Sequence, residues 1–422
     1  MNTDKLFSFI NSSPTAYHAV AEVKKALLNE GFSELSSASP IPEGGGSFFI
    51  TRNDSSIVAF KIPENPTGFM IVASHSDSPA FRLKGSCEKV GAYSRLDVEK
   101  YGGMIYSTWL DRPLSLAGRV IIRTEDGIKS VLVNLDENAF VIPSVAIHLN
   151  RSVNDGYKYN PAVDMLPLSG VGGEKGIMKL VSDKLGVCEE SVISHDLFVY
   201  NRDEARLVGK ENGLILSPRL DDLECVYFSL EAFLAAKPAR AVSVLAVFDN
   251  EEVGSETKQG AASTLLYDAL AKIAGARYGE MLENSLMVSA DNAHALHPAH
   301  PELSDAQNAP MLNGGIVIKF NANQRYATDG VSEALFRVIC ERAGARVQTY
   351  SNRADMPGGS TLGSISNTKV SIPTVDIGLP QLAMHSACET AGACDGEDML
   401  LALTELYSSS LVKNGSEIKV VK

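Results

Sequence analysis

Residues 241–255 read AVSVLAVFDNEEVGS, a stretch that is apolar except for Ser243 and runs straight into Asp249, Asn250, Glu251 and Glu252. A short run with apolar side chains on both faces marks a strand buried inside a sheet. Its abrupt acidic end marks the edge of that sheet, where two adjacent glutamates are costly unless a cation lies near. The pattern recurs. FMIVAS at 69–74 runs into His75, Ser76 and Asp77, SLMVSA at 285–290 into Asp291 and Asn292, and IPTVDIG at 372–378 is followed by Met384 and His385. Asp221, in SPRLDDLECVY, stands where a helix begins. Open α/β sheets bind ligands at the carboxyl ends of their strands, so these residues define a candidate site.

Working outward, apolar residues Ala16, Ala19, Val20, Val23 and Leu27 predict an amphipathic helix, with Gly31 as its stop signal. Strands are predicted at 47–51, 57–62 and 69–74. From about 84 to 215 the texture changes to short alternating runs, such as GRVIIRTEDGIKSVLVNL at 118–135, which read as β-hairpins. One helix is predicted there, at 174–185. Beyond Ser217 the chain alternates helices at 222–236, 259–274, 330–343 and 396–412 with strands at 241–248, 285–290, 315–320, 346–350 and 372–377. That alternation predicts an α/β sheet with parallel pairs. The simplest organisation is one α/β domain from residues 1–83 and 217–422, interrupted by an inserted β-rich domain at 84–216.

The composition fits. The chain has 422 residues, 45% hydrophobic and 21% charged, which is ordinary for a folded protein. At roughly 100–200 residues per domain it holds two or three domains. Thirty-eight Lys and Arg against fifty-one Asp and Glu give a net charge of −13, which disfavours nucleic acid and anionic membrane surfaces. The apolar stretch 241–248 is far short of the roughly 20 residues that cross a bilayer. MNTDKLFSFINSS at the N-terminus lacks the features of a secretory signal, so a cytoplasmic location is expected. Cys87, Cys188, Cys225, Cys340, Cys388 and Cys394 show no CxxC spacing, which favours reduced, mostly buried thiols over disulfides or a zinc-thiolate site.

Each candidate has a plainer alternative. His75, Asp291 and His385 taken singly read as turn or surface residues, and Asp221 as a helix N-cap. Together they place two His and several carboxylates on one sheet edge. That set suits zinc, manganese or cobalt, and five such ligands can hold two ions when one carboxylate bridges. A hydrolytic centre of this kind also needs one uncoordinated carboxylate to carry the proton, so one glutamate of the pair ligates and the other is the base. Asp77 can fix the tautomer of His75. His294, His297 and His300 in DNAHALHPAHPE suggest a competing metal tract, but Pro298 and Pro301 break the helix that would align them, leaving loop or supporting roles.

The motifs ASHSDSPAFRLK, VAIHLNR, SPRLDDL, FDNEEVGS, SADNAHALHP, IKFNANQRYAT, MPGGSTLG and DIGLPQLAMHS together resemble the M18 aminopeptidases, a group that includes aspartyl aminopeptidases. The resemblance spans nearly the whole chain. It implies a co-catalytic zinc peptidase fold of the phosphorylase/hydrolase-like type, interrupted by a β-rich dimerisation domain, with two Zn2+ per subunit (Mn2+ or Co2+ as substitutes). His75 and Asp291 become terminal ligands of one ion, Glu252 and His385 those of the other, Asp221 the bridge, and Glu251 the general base. Asp77 then orients His75. Asp222 stands where the aspartyl members carry Asn. The resemblance further implies dimers assembled into tetrahedral dodecamers, with His148 reaching a neighbouring subunit's active site to help hold the oxyanion. It also puts Lys319 in the pocket for the substrate's first side chain, where it would select Asp or Glu. Without the resemblance, His148 reads as a buried imidazole of the β-rich domain and Lys319 as a solvated edge lysine. The expected activity is removal of N-terminal residues from peptides by metal-activated water. Rivals are a family member preferring neutral residues, a hydrolase of acylated amino acids, and a non-catalytic metal-stabilised shell.

Overall fold

The computed structural model describes residues 3–42, 44–171 and 176–422, apart from the side chains of residues 86, 87, 89 and 90. Its centre is a nine-stranded mixed sheet. The strand Phe69–His75 lies in the middle of it, paired in parallel with Val242–Phe248 on one side and Leu286–Ala290 on the other. Thr374–Gly378 adds a further parallel strand beside Leu286–Ala290. All four are buried at every position, which is why their sequences are apolar without alternation. The register aligns His75 with Phe248 and Ser289 with Ala73, so the residues that follow these strands emerge on one edge.

Helices cover both faces. Thr3–Ser12, Ala16–Asn29, Leu220–Ala235, Gly330–Ala343 and Asp395–Tyr407 close one side. Leu265–Ala274, Tyr278–Leu282 and Leu362–Asn367 close the other. A second sheet, of six strands, is built wholly from residues between Ala80 and Asn201 and has its own core around Phe81, Leu116, Trp109 and Val199. Arg206–Val208 and Leu214–Ser217 join a third sheet, where Leu214–Ser217 pairs with Glu389–Gly392. Among the described residues no helix is long and apolar enough to cross a membrane.

Three differences from the sequence expectations have local causes. The helix expected at 259–274 begins only at Leu265, because Gly260 sits where a side chain would strike the Ser255 carbonyl, at 2.1 Å, and the preceding residues form turns. The helix expected at 396–412 stops at Tyr407, and Ser410–Asn414 and Glu417–Val421 form a hairpin about Gly415, which has a left-handed φ of 60°. The helix expected at 174–185 is described from Ile177 to Leu185, residues 174 and 175 lying outside the described chain. Of the thiols, Cys225, Cys340 and Cys388 are buried, Cys188 and Cys394 are exposed, and the Cys87 side chain lies outside the description.

Candidate metal centre and active site

The sheet edge gathers five carboxylates and two imidazoles: His75, Asp221, Asp222, Glu251, Glu252, Asp291 and His385 offer atoms in three overlapping clusters that could hold a cation. Nε2 of His75 lies 3.3 Å from Asp221 Oδ1 and 4.0 Å from Asp291 Oδ1. Nε2 of His385 lies 3.4 Å from Asp221 Oδ2 and 3.4 Å from Glu252 Oε2. The Asp221 carboxylate therefore stands between the two imidazoles with one oxygen toward each. Asp222 behaves differently: its Oδ2 accepts the main-chain N–H of His75 at 3.1 Å.

Asp77 sits behind this array. Its Oδ1 lies 3.4 Å from Nδ1 of His75 and accepts the N–H of Glu251 at 3.1 Å, while its Oδ2 accepts the N–H of Glu252 at 3.2 Å. Both N–H groups point there because Asn250 takes a left-handed φ of 62°, a conformation Asn tolerates better than most residues. The Asn turn thus places the glutamate pair and anchors it to the carboxylate beside His75.

Burial dominates the electrostatics. It raises the pKa of Glu251 to about 8, with His75 pulling it down and Asp291, Asp77 and Asp221 pushing it up. Burial and then the Asp221 charge raise Glu252 as well. His75, though burial alone would lower it, is held well above its ordinary value by Asp222, Asp221 and Asp77. Asp221 is held low against burial by its two imidazoles. The Oδ1 atoms of Asp221 and Asp222 and Oε1 of Glu252 are buried with no hydrogen-bond partner. Crowded carboxylates with orphaned oxygens are the condition that bound cations relieve, so the residues present fit a metal centre.

Two residues missed in the sequence complete the surroundings. Glu389 is buried and holds the chain at both ends of the Asp221 contact, accepting the N–H of Asp221 at 3.1 Å and that of His385 at 2.7 Å. Tyr101 donates its hydroxyl to Asp77 Oδ2 at 2.7 Å. Lys319 is not on an edge: its strand, Ile316–Phe320, lies between Thr374–Gly378 and Val347–Ser351. Its ammonium is 2% exposed and donates to the carbonyls of Asp291, at 2.6 Å, and Asn292, at 3.3 Å. Burial works against that charge, but Asp291, Tyr326 and Asp376 more than compensate and keep it protonated. His148 is not the buried imidazole of the plainer reading. It lies exposed in a loop with Val145, Ile147 and Leu149, which are 53%, 48% and 83% exposed. His300 pairs with Glu302, at 3.0 Å, and no cluster found among the described residues includes His294, His297 or His300.

Comparison with known proteins identifies the family. The family model described as aminopeptidase I zinc metalloprotease (M18) matches residues 9–407. A probable M18 family aminopeptidase 2 of Clostridium acetobutylicum is 42% identical, the match covering 96% of this chain and 98% of that protein. Among solved structures, Ape4 from its cryo-EM complex with Nbr1 superposes with a TM-score of 0.92 at 34% identity, covering 96% of this chain and 84% of that one. The yeast mApe1 dodecamer superposes with a TM-score of 0.85 at 26% identity, covering 96% and 95%. The sheet edge with its two imidazoles and five carboxylates is thus carried on a chain that belongs to the M18 family of aminopeptidases, a metallopeptidase family.

Proposed function

We propose that this protein is a two-metal aminopeptidase that holds two Zn2+, with Mn2+ or Co2+ as substitutes, and releases N-terminal residues from peptides. The observation that carries the reading is the Asp221 carboxylate, with one oxygen 3.3 Å from His75 and the other 3.4 Å from His385. A bridging ligand needs that disposition. In this reading Asp291 joins His75 on one side and Glu252 joins His385 on the other, an oxygen and imidazole set without thiolate that suits these ions. The chemistry such ions supply is polarisation of the scissile carbonyl and a lowered pKa of nearby water. Glu251 takes the proton of the attacking water and returns it to the leaving amine. Asp77 orients His75 and fixes both glutamates through their N–H groups.

The finer reading is a preference for N-terminal Asp or Glu. Its support is Lys319, a buried ammonium at the site that donates to the carbonyls of Asp291 and Asn292 and lies 3.8 Å from Asp291 Oδ2. Assays with Asp, Glu, Leu and Ala substrates test it. Acidic substrates should be cleaved best, and Lys319→Met should lower the Asp-to-Leu ratio. A parent protein that cleaves Leu best overturns it.

Assembly into dimers, and from them a dodecamer, is supported by the exposed apolar loop that carries His148 and by the dodecameric state of mApe1. For the core proposal, zinc titration of chelator-treated protein should reach two equivalents, with activity on unblocked dipeptides. One equivalent, or faster cleavage of N-acylated dipeptides, overturns it.

A further inference from the structure

Tyr101 is the last residue of the strand Tyr93–Tyr101, in the six-stranded sheet, yet its hydroxyl leaves that sheet. It donates to Asp77 Oδ2 at 2.7 Å and accepts a hydrogen bond from the Asn250 side-chain amide at 2.8 Å. The ring is braced from within its own sheet by Phe198, edge-on at a centroid distance of 5.5 Å. The residues that follow stay at the site. A side chain at Gly102 would meet Glu252 Cβ at 3.2 Å, one at Gly103 would come 3.8 Å from Nδ1 of His385, and Ile105 donates its N–H to the His385 carbonyl at 3.1 Å. A segment of the six-stranded sheet's own chain thus lies against Glu252 and His385, and the side-chain hydroxyl it brings to Asp77 is that of Tyr101.

We infer that Tyr101 is a positioning residue of the metal centre, whose hydroxyl, reaching out of the six-stranded sheet, fixes the Asp77 carboxylate. The Asp77 carboxylate has three donors to satisfy, the N–H of Glu251, the N–H of Glu252 and the Tyr101 hydroxyl, while Nδ1 of His75 lies 3.4 Å from its Oδ1 and 3.1 Å from the Asp77 main-chain carbonyl. The hydroxyl is the one contact that comes from the other sheet. It fixes the rotation of the carboxylate, and that rotation decides whether its two oxygens meet the two glutamate N–H groups together, with Oδ1 also beside His75. Groups beside a metal-binding His commonly change metal affinity by about 10- to 100-fold when removed, and the Tyr101 hydroxyl acts on such a group, one bond further out. The inference rests on the two-metal reading above.

The test compares the full-length parent with Tyr101→Phe, which deletes only the hydroxyl, and with Arg119→Gln. Arg119 bonds the main-chain carbonyl of Asn53 at 2.9 Å and Asp196 at 2.9 Å, so its loss loosens the same seating without touching Asp77. Zinc affinity is read by competition with a chromogenic chelator, alongside kcat, KM and the melting temperature of the metal-free protein. Tyr101→Phe should bind zinc at least about 10-fold more weakly and lose kcat with KM nearly unchanged. Its metal-free melting temperature should stay close to that of the parent, whereas Arg119→Gln should melt lower and keep its zinc affinity. Unchanged affinity and kcat in Tyr101→Phe overturn the inference. So does an equal loss of affinity in Arg119→Gln, which would show that seating alone, not the hydroxyl, sets the centre. A parent that binds no zinc overturns the two-metal reading itself, and this inference with it.

Discussion

Glu251 and Glu252 are adjacent in the chain and share one carboxylate anchor, yet only Glu252 faces His385, at 3.4 Å. Separate tasks follow from that difference. Glu251→Gln should keep its metal and lose turnover by about 10²- to 10⁴-fold, the usual worth of a positioned base. Metal analysis beside the kinetics decides it, because metal loss would make Glu251 a ligand. Asp221→Ala should empty or disorder both positions, and two retained equivalents would exclude the bridge. A different residue contributes to the response to acid. His18 is half-buried beside Arg219, with Nδ1 2.9 Å from Thr15 Oγ1, and burial followed by the Arg219 charge lowers its pKa from 6.5 to about 4. The unfolded chain takes up this proton below 6.5 and the folded chain only near 4, so His18 leaves stability untouched above 6.5 and costs stability as pH falls through that window. His18→Gln should therefore show a smaller drop in melting temperature between neutral pH and about pH 5 than the parent does. Equal drops in thermal melts would remove His18 as a contributor.

At the level of elements, the site depends on how closely the strand ends approach. Gly378 closes the strand Thr374–Gly378, and a Cβ there would lie 2.0 Å from the Asp291 carbonyl and 2.9 Å from the Ala293 nitrogen. Main chain cannot yield as a flexible side chain would, so Gly378→Ala must push the Asp291 segment outward. A destabilisation of about 1–3 kcal/mol is expected, as for other overpacked interiors, together with weaker metal binding. Chemical denaturation and metal titration check the two effects, and a variant that keeps both values would show the strand end to be pliable. The strands that carry His75, Glu251, Glu252 and Asp291 were legible in the sequence because burial on both faces leaves an uninterrupted apolar run that ends in charge. Tyr101 and Glu389 were not. Tyr101 ends an alternating strand whose pattern reports only which face is buried, and Glu389 follows His385 by four residues with no apolar run to place it. The hairpin after Tyr407 was misread because the helical spacing of its apolar residues outlasted the helix, although Asn414-Gly415 is itself a hairpin signal.

For the whole molecule, the question is whether one chain holds a complete active site. The candidate ligand cluster, Glu251 and Asp77 all gather at one sheet edge, but His148 lies in an exposed loop of the middle segment, beside apolar residues that water solvates poorly. Such a loop makes sense if another copy covers it and receives its imidazole. In that arrangement His148 of one subunit would donate to the oxyanion forming at its neighbour's metal centre. Hydrogen-bond donors of this kind are worth about 10²- to 10³-fold in kcat, so His148→Phe alone should be nearly inactive while still binding metal. Mixing provides the sharper test. His148→Phe supplies intact Glu251, and Glu251→Gln supplies intact His148, so a mixed oligomer contains sites in which both residues are present. Activity should rise from near zero in either variant to a substantial fraction of the parent once subunits have exchanged, and dilution below the assembly concentration should abolish it. If exchange is confirmed by mass and activity does not recover, His148 serves its own chain or none, and the shared site is wrong.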